Sequence, residues 1–325
     1  MTTFKEIRGT TVESVSSDPS NPEPGQIWYN NTIGVLKGGI ANTGAWSSGG
    51  NLTTARFSLA GAGTQTAGLA MGGASGPTTY FNATEEYDGS AWTNGGNLGT
   101  GRALYAAGAG TQTAGLGFGG YYTSNPIVAL TEEYNGSSWT AGGNMGTGRY
   151  FTTGCGLQTA AVCAGGWRPG VSSVANVEKY DGSSWTSSTS LPGARSGVTM
   201  AGTQTAGLLW GNNYFGGNGT SLKFDGTTWT DGGFMTVPGI SRAAGAGTQT
   251  AALSFGGIGT PGGATEQYDG TSWTNTNSTL ATARDNLGGA GTQTAGLGFG
   301  GGPGVTSTEE WTLTPGITKR ILTTS

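Results

Sequence analysis

Histidine is missing from this chain of 325 residues, and charged side chains make up only 10% of it. The absence of histidine removes the commonest general base and the commonest metal ligand, so we expect neither a metal nor a cofactor. The 14 basic and 18 acidic residues give a net charge of −4. Because no basic cluster is present to neutralise phosphates, we expect no nucleic-acid partner.

Cysteine and long apolar runs are also scarce. Cys155 and Cys163 are too few for a zinc site and lie eight residues apart across a predicted hairpin. We expect two buried free thiols, with a disulfide as the alternative. No run approaches the ~20 apolar residues of a membrane span. Residues 1–8 have no apolar core, so we expect no signal peptide and no membrane insertion.

One phrase, Gly-Thr-Gln-Thr-Ala-Gly, recurs along the chain with small changes, and a tryptophan recurs with nearly the same spacing of 44 to 47 residues. A period in this range is typical of repeat architectures whose units pack against their neighbours. The repeated glutamines are Gln65, Gln112, Gln158, Gln204, Gln249 and Gln293. The repeated tryptophans are Trp46, Trp92, Trp139, Trp185, Trp229 and Trp273.

Each repeat is typical of a four-stranded antiparallel meander. In the second unit the predicted strands, a to d, are 102–110, 113–118, 131–134 and 137–140. The c–d connection carries Asp-Gly or Asn-Gly, a pair that favours a two-residue type I′ turn. No segment has the length or the apolar spacing of a helix, so the sequence predicts an all-β fold.

Strand b has two unlike faces. One face presents Ala114, Leu116 and Phe118. The other presents Gly115, Gly117 and Gly119. Glycine in a strand permits close approach of a neighbouring sheet, so we expect the bulky face of one unit to pack on the glycine face of the next, as in propeller blades.

An arginine opens each predicted strand a, and a glutamate stands two places before the aromatic residue of most c strands. The arginines are Arg56, Arg102, Arg149, Arg195, Arg242 and Arg284. The glutamates are Glu85, Glu132, Glu178, Glu266 and Glu309. They form either a functional ring of charges or buried structural pairs, and we favour structural pairs because they recur in every unit. Leu222 replaces one glutamate, so we expect a different partner for Arg242.

The number of strands predicts how the array ends. Strands a, b and c each occur six times, but strand d follows strand c only five times. Trp46 precedes the first strand a, and the last strand c, at 308–313, has no strand d after it. We therefore expect residues 41–325 to form a six-bladed β-propeller, with a strand around Trp46 completing the C-terminal blade and removing exposed edges.

These features resemble the Kelch-repeat β-propeller family over about residues 41–313. The resemblance rests on a double glycine after strand b and on the Glu-x-Tyr-Asp, Trp and Leu-Pro-x-x-Arg pattern of residues 177–195. Some Kelch propellers, such as galactose oxidase, use copper bound by histidines, which this chain lacks. Other Kelch domains are binding platforms.

A second resemblance is to the Gly/Thr-rich kelch-like virion proteins of marine tailed phages. It rests on Ala-Gly-Thr-Gln-Thr-Ala, on Pro24–Asn30 and on Gly34–Lys37. This resemblance implies a virion protein that is made in a host cytoplasm.

The six b–c connections differ from one another, whereas the a–b and c–d turns hardly vary. Aromatic side chains and arginine are frequent anchors of recognition surfaces. We therefore predict a ligand-binding surface at the variable connections, unless these rings only cover loop backbone or plug a central channel. The candidate residues are Tyr80, Phe81, Tyr121, Tyr122, Trp167, Arg168, Tyr214 and Phe215.

Residues 1–40 form a separate predicted region, with a proline-containing polar stretch at 12–25 and a small hairpin at 27–36. One hypothesis is a docking element that attaches the propeller to a larger particle through Ile27, Trp28 and Tyr29. The alternative is a strand pair that only helps to close the ring.

Three functions follow from these patterns. We favour a non-catalytic structural or adhesion protein of a tailed-phage virion, with other virion proteins as partners and a host surface glycan as a possible ligand. The alternative is a cellular Kelch-type scaffold that binds protein. A glycan-degrading enzyme is the third hypothesis, but it requires paired carboxylates, and Asp231 and Asp285 are among the few acids outside the repeated positions.

Overall fold

The computed structural model describes residues 12–19, 26–41, 44–105, 107–122, 127–211, 219–259, 262–313 and 317–321. These residues form β-strands and no helix, so none of them lies in a helix long and apolar enough to cross a membrane. The strands, in chain order, are β1 (Glu13–Val15), β2 (Ile27–Asn30), β3 (Val35–Ala41), β4 (Ala45–Ser48), β5 (Ala60–Thr64), β6 (Ala67–Met71), β7 (Thr84–Tyr87), β8 (Trp92–Asn94), β9 (Gly108–Gly110), β10 (Gly115–Phe118), β11 (Thr131–Tyr134), β12 (Trp139–Ala141), β13 (Thr153–Leu157), β14 (Ala160–Ala164), β15 (Trp167–Arg168), β16 (Ser172–Ser173), β17 (Val177–Tyr180), β18 (Trp185–Ser188), β19 (Thr199–Thr203), β20 (Ala206–Trp210), β21 (Thr220–Phe224), β22 (Trp229–Phe234), β23 (Ala244–Gly247), β24 (Ala252–Phe255), β25 (Ala264–Tyr268), β26 (Trp273–Thr279), β27 (Gly288–Gly291), β28 (Ala295–Phe299), β29 (Thr308–Thr312) and β30 (Ile317–Ile321).

The chain divides into two compact units, residues 45–312 and residues 1–44 with 313–325. The described part of the larger unit contains four-stranded antiparallel sheets, as predicted. We name them sheet I (β5–β8), sheet II (β9–β12), sheet III (β13, β14, β17, β18), sheet IV (β19–β22), sheet V (β23–β26) and sheet VI (β27, β28, β29, β4). In sheet VI the fourth strand comes from the start of the unit, and Trp46 lies opposite Trp311.

The second repeat shows where the predicted strands were right. Strand c is β11, with the predicted bounds, but strand a is only β9, Gly108–Gly110. The predicted start at Arg102 is wrong because the backbone N–H groups of Leu104 and Tyr105 donate to Ser58 O of the neighbouring repeat. Their hydrogen bonds therefore go to another sheet instead of strand b.

The c–d turns are not type I′ turns. In the first one, Gly89 has a φ of 94° but Asp88 is not left-handed. The turn spans four residues, and Asp88 Oδ1 accepts hydrogen bonds from the backbone N–H groups of Ser90 and Ala91, both at 2.8 Å. The aspartate therefore stabilises the turn through its side-chain oxygen, as in an Asx turn, and only the glycine needs a positive φ.

The repeated glutamine joins each sheet to the one before it. In sheet II, Gln112 Nε2 donates to Gly68 O at 3.1 Å and to Tyr87 O at 2.7 Å, both in sheet I. All six glutamines donate to two carbonyl groups of the preceding sheet, and for Gln65 that sheet is VI. These bonds explain why the turn phrase recurs.

Glycine faces pack on bulky faces, as predicted. A Cβ on Gly115 of sheet II would lie 2.5 Å from Leu69 Cδ2 of sheet I, and one on Gly296 of sheet VI would lie 2.7 Å from Leu253 Cδ2 of sheet V. The repeated tryptophan crosses the same interfaces, since Trp139 Nε1 donates to Thr84 Oγ1 at 2.9 Å. Side chains at these positions therefore decide how closely two sheets approach.

Four of the predicted structural ion pairs are present and buried. They are Arg56–Glu85, Arg102–Glu132, Arg149–Glu178 and Arg284–Glu309. Each pair lies within one repeat, and Glu85 Oε2 also accepts the backbone N–H of Thr53 at 2.6 Å. The pairs thus connect strand c to the connection that precedes strand a.

The two remaining units depart from this pattern, and the predicted place of Arg242 is wrong. Ser241 pairs with Ile258 as Tyr150 pairs with Trp167, so Ile240, not Arg242, occupies the arginine position. Leu222 belongs to the unit of Arg195, whose Nη1 donates to Thr220 O at 3.3 Å. The prediction relied on local spacing, which fails here because the connection before β23 differs in length from those of the other units.

The predicted free thiols are confirmed, since Cys155 and Cys163 are buried and unbridged. Cys163 Sγ lies 3.0 Å from Thr152 Oγ1. Burial raises the pKa of both thiols. They are therefore core side chains.

The smaller unit contains one mixed sheet in the order β1–β2–β3–β30. The predicted hairpin is present as β2 and β3, whereas β1 pairs with β2 in parallel. Strand β30, which the sequence placed with the propeller, pairs with β3. The chain therefore divides after residue 44 and again after residue 312, not after residue 40.

Candidate ligand-binding surface

The b–c and d–a connections leave each four-stranded sheet at one end, which we call the loop end, and the a–b and c–d turns leave at the other, the turn end. Short bridges at the loop end hold the aromatic side chains. Tyr121 pairs with Ala103, and Trp167 pairs with Tyr150, each partner lying just before strand a of the same repeat. Backbone pairing between a b–c connection and the segment before strand a therefore positions each ring.

Four of these rings form a continuous series, which we call the aromatic row: Tyr80, Tyr121, Tyr150 and Trp167. The ring centroids of Tyr80 and Tyr121 are 5.7 Å apart, those of Tyr121 and Tyr150 are 5.3 Å apart, and those of Tyr150 and Trp167 are 5.1 Å apart. All four side chains are half-buried, and adjacent rings are tilted by 55° to 60°. The row thus brings together aromatic side chains from sheets I, II and III.

A second layer extends the row. Tyr105 packs on Phe151 at 4.2 Å and on Tyr150 at 5.8 Å. The guanidinium of Arg242 lies over the Phe151 ring at 5.3 Å and pairs with Asp285 at 3.1 Å. The aromatic row is therefore supported from below by rings and by one cation.

A chain of backbone hydrogen bonds holds the segments that carry these side chains. Ser58 N donates to Asn286 O, Asn286 N to Arg242 O, Arg242 N to Gly197 O, and Gly197 N to Phe151 O, at 2.8 to 3.0 Å. All five residues are left-handed, with φ between 51° and 66°. The left-handed backbone conformation directs each N–H toward its acceptor in the neighbouring repeat. These hydrogen bonds explain why non-glycine residues adopt a positive φ despite its strain.

The space enclosed by the inner strands is small. A cavity of about 20 Å³ lies beside Tyr105, Phe151 and Arg242. Another, of about 40 Å³, is lined largely by glycines of the first strands, among them Gly61 and Gly289. Each holds a few water molecules at most, so neither of these two cavities can enclose a larger ligand.

The hydroxyl groups of Tyr80 and Tyr150 are neutral at physiological pH. Burial, together with Tyr105 and Tyr121, raises the pKa of Tyr150 to about 12. Burial also raises the pKa of Tyr80, whose hydroxyl donates to Pro77 O at 2.8 Å. These groups therefore act as neutral hydrogen-bonding groups rather than as bases.

The other predicted residues have different places. Among the described residues Phe81 makes no ring contact, and its backbone N–H donates to Gly73 O at 2.8 Å, so it closes its own loop. Tyr122 borders a separate open groove of about 360 Å³ with Ile127 and Asn144. Tyr214 and Phe215 lie outside the described residues.

Trp167 and Arg168 lie together on β15, in a hairpin with β16. Successive side chains of a strand point in opposite directions, so the Arg168 side chain leaves β15 on the face opposite to the Trp167 ring, next to the last residue of the row. Arg168 is half-buried, and its Nε has no hydrogen-bond partner in the described part of the chain.

The predicted docking residues lie on β2. Trp28 is fully buried and donates through Nε1 to Asp18 Oδ1 at 3.1 Å. Trp28 is therefore a core residue of the small sheet and is not available to a partner. Tyr29 is 41% exposed, and Ile33, which was not predicted, is 57% exposed.

Sequence reasoning missed Tyr105, Tyr150 and Phe151, because they were assigned to strand a. The missed signal was variation among repeats. The residues just after the repeated arginine differ in every unit, as the b–c connections do, whereas strand a itself hardly changes. A comparison of the units position by position would have marked these residues as part of the variable end.

No protein-family model matches this chain, and no curated protein shows significant similarity to it.

Proposed function

We propose that residues 45–312 form a six-bladed, Kelch-like β-propeller with sheets I to VI as blades. The support lies in contacts between the first and last repeats. β4 pairs with β29, Gln65 donates to Trp311 O at 2.7 Å, and Trp92 Nε1 donates to Thr308 Oγ1 at 2.9 Å. The same interactions join neighbouring sheets elsewhere, so sheet VI meets sheet I as any other two neighbours meet.

The propeller serves as a non-catalytic recognition module, and its ligand is a surface glycan. The observation that carries this proposal is the aromatic row. Its centroid spacing of 5.1 to 5.7 Å is comparable with the length of one pyranose unit in an extended oligosaccharide. Successive sugars can each pack on one tilted ring, while tyrosine hydroxyls bond to sugar hydroxyls.

The function of the module is attachment within a tailed-phage virion. This part rests on the resemblance of the repeat phrase and of residues 24–37 to kelch-like virion proteins. The unit of residues 1–44 and 313–325 is the docking element, with Tyr29 and Ile33 as exposed apolar side chains. Mass spectrometry and a cryo-EM map of purified particles test this assignment, and absence of the chain from the particles refutes it.

Catalysis is not part of the proposal. Asp285 pairs with Arg242, and Asp231 Oδ1 accepts the backbone N–H of Gly233 at 2.9 Å. Both carboxylates therefore have structural partners. A glycan-degradation assay with the whole chain tests this point, since release of reducing ends would contradict it.

Glycan binding is tested with oligosaccharides of increasing length. Affinity should rise with each sugar up to about four units, the number of rings in the row. Tyr150→Ala, at the centre of the row, should weaken binding by about tenfold, because loss of one aromatic stacking contact costs about 1–2 kcal/mol. Tyr29→Ala, in the other unit, is the control.

The alternative is a scaffold that binds protein. The tilt of 55° to 60° between adjacent rings favours it, because tilted tyrosines supply adaptable contacts to an uneven protein surface. A partner captured by the wild type and lost in Tyr150→Ala, with no glycan bound by either, would support the scaffold over the glycan module.

A further inference from the structure

Acidic residues are distributed unequally between the two ends of the sheets. Aspartates occupy four c–d turns at the turn end: Asp88, Asp181, Asp225 and Asp269. The b–c and d–a connections contain a single acidic residue, Asp285, and it pairs with Arg242 at 3.1 Å. In a chain of net charge −4, the b–c and d–a connections therefore contain no uncompensated negative side chain.

Arg168 supplies a cation at this end. The other arginines whose side chains the structure describes bond to a carboxylate or a carbonyl oxygen. Arg168 makes no such bond with the described residues, although its stem is half-buried beside Trp167. Its terminal Nη groups, unlike the buried Nε, can therefore bind an external anion without breaking a bond to the described residues.

We infer that the loop end binds an acidic oligosaccharide, one that carries a carboxylate or sulfate group, with Arg168 as the residue that recognises the anion. This inference rests on the proposed glycan-binding function. The aromatic row holds the sugar faces, and Arg168, at one end of the row, donates charge-assisted hydrogen bonds to the anionic substituent. The aspartates of the turn end repel the same ligand, which favours approach by the loop end.

The test uses matched pairs of oligosaccharides. A uronate, a sulfated and a sialylated oligosaccharide are each compared with the neutral partner obtained by carboxyl reduction, desulfation or desialylation. The wild-type chain should bind at least one acidic member about tenfold more tightly than its neutral partner, since a hydrogen bond to a charged group contributes about 1.5 kcal/mol or more. Rising salt should reduce this preference.

Variants separate the role of Arg168 from a general effect of charge. Arg168→Gln should abolish the preference for the acidic member while leaving binding of the neutral one unchanged, and Arg168→Lys should restore most of it. Lys223→Gln removes the same charge at the turn end, where Lys223 Nζ donates to Gly270 O, and should leave the preference intact.

The outcomes distinguish the two proposals. Equal binding of acidic and neutral partners, or an acidic preference that survives in Arg168→Gln, overturns the role of Arg168 and leaves glycan binding in place. No binding of any oligosaccharide, acidic or neutral, overturns both proposals.

Discussion

Replacing Gly61 by alanine tests whether sheet VI packs against sheet I in solution. The backbone of Gly61 does not need positive φ, so alanine is conformationally permitted there. A Cβ at this position would lie 2.4 Å from Gly289 O, 2.8 Å from Gly289 N and 2.8 Å from Phe299 Cζ, all in sheet VI. The three nearest obstacles to alanine therefore all belong to sheet VI.

The magnitude follows from the nature of the clash. Two of the three atoms are backbone, so one sheet must move by about 1 Å to bring the shortest of these distances to an ordinary contact distance. Overpacking of this kind costs about 1–3 kcal/mol, and the smaller entropy of the unfolded chain returns about 0.4–1 kcal/mol. A net loss of about 1–2 kcal/mol corresponds to a fall in Tm of about 2–8 °C for a unit of this size.

Thermal unfolding followed by tryptophan fluorescence measures the effect, and Gly193→Ala is the control. A Cβ on Gly193 would meet nothing within 4 Å, and its φ is not positive, so that variant should be as stable as the wild type or slightly more stable. If Gly61→Ala unfolds at the same temperature as Gly193→Ala, sheets VI and I are not in contact and the closed propeller is wrong.

Three further predictions concern the arginine, glutamine and glutamate positions of the repeats. Arg102→Met should lower the free energy of unfolding in urea by about 3 kcal/mol, because it leaves Glu132 buried without its cation. Arg195→Met should lower it by less than about 1 kcal/mol, because among the described residues Arg195 bonds only to a carbonyl oxygen. Equal losses in the two variants would contradict the ion pair. Gln158→Ala should lower the free energy of unfolding by about 1–3 kcal/mol, because two carbonyls of sheet II lose their hydrogen-bond donor. The loss should appear as a lower Tm. Burial raises the pKa of Glu266 above 4.5, so the folded protein binds that proton more tightly than the unfolded chain does, and wild-type stability falls as pH rises above 4.5. Tm measured from pH 4 to 8 should show this fall in the wild type and a flatter curve in Glu266→Gln.

The sequence predictions that the structure confirms rest on the local pattern of residues. Alternation of bulky residues and glycine in strand b reports which side chains share a face, because successive residues of any strand point in opposite directions. The missing fourth strand after Thr312 predicted the pairing of Trp46 with Trp311 by counting alone. Such inferences need only the geometry of a strand and the number of repeats.

Other positions depended on partners far away in the chain. Gln112 looked like a turn residue, but its side chain reaches carbonyls of the preceding sheet, 25 and 44 residues away in sequence. Trp28 looked like an exposed anchor, but Asp18 satisfies its indole N–H inside the small sheet. Neither partner can be identified from spacing, because each contact exists only after two separate segments have packed.

By itself, the sequence determined the all-β class, the repeated four-stranded meander and the glycine and bulky faces, since each follows from local periodicity and from repetition of the same residues. The tertiary structure alone decided that Tyr80, Tyr121, Tyr150 and Trp167 form one row and that Arg168, next to Trp167, bonds to none of the described residues. The physical reason is that these side chains come from connections of three different sheets, and only the packing of those sheets sets the distances between them.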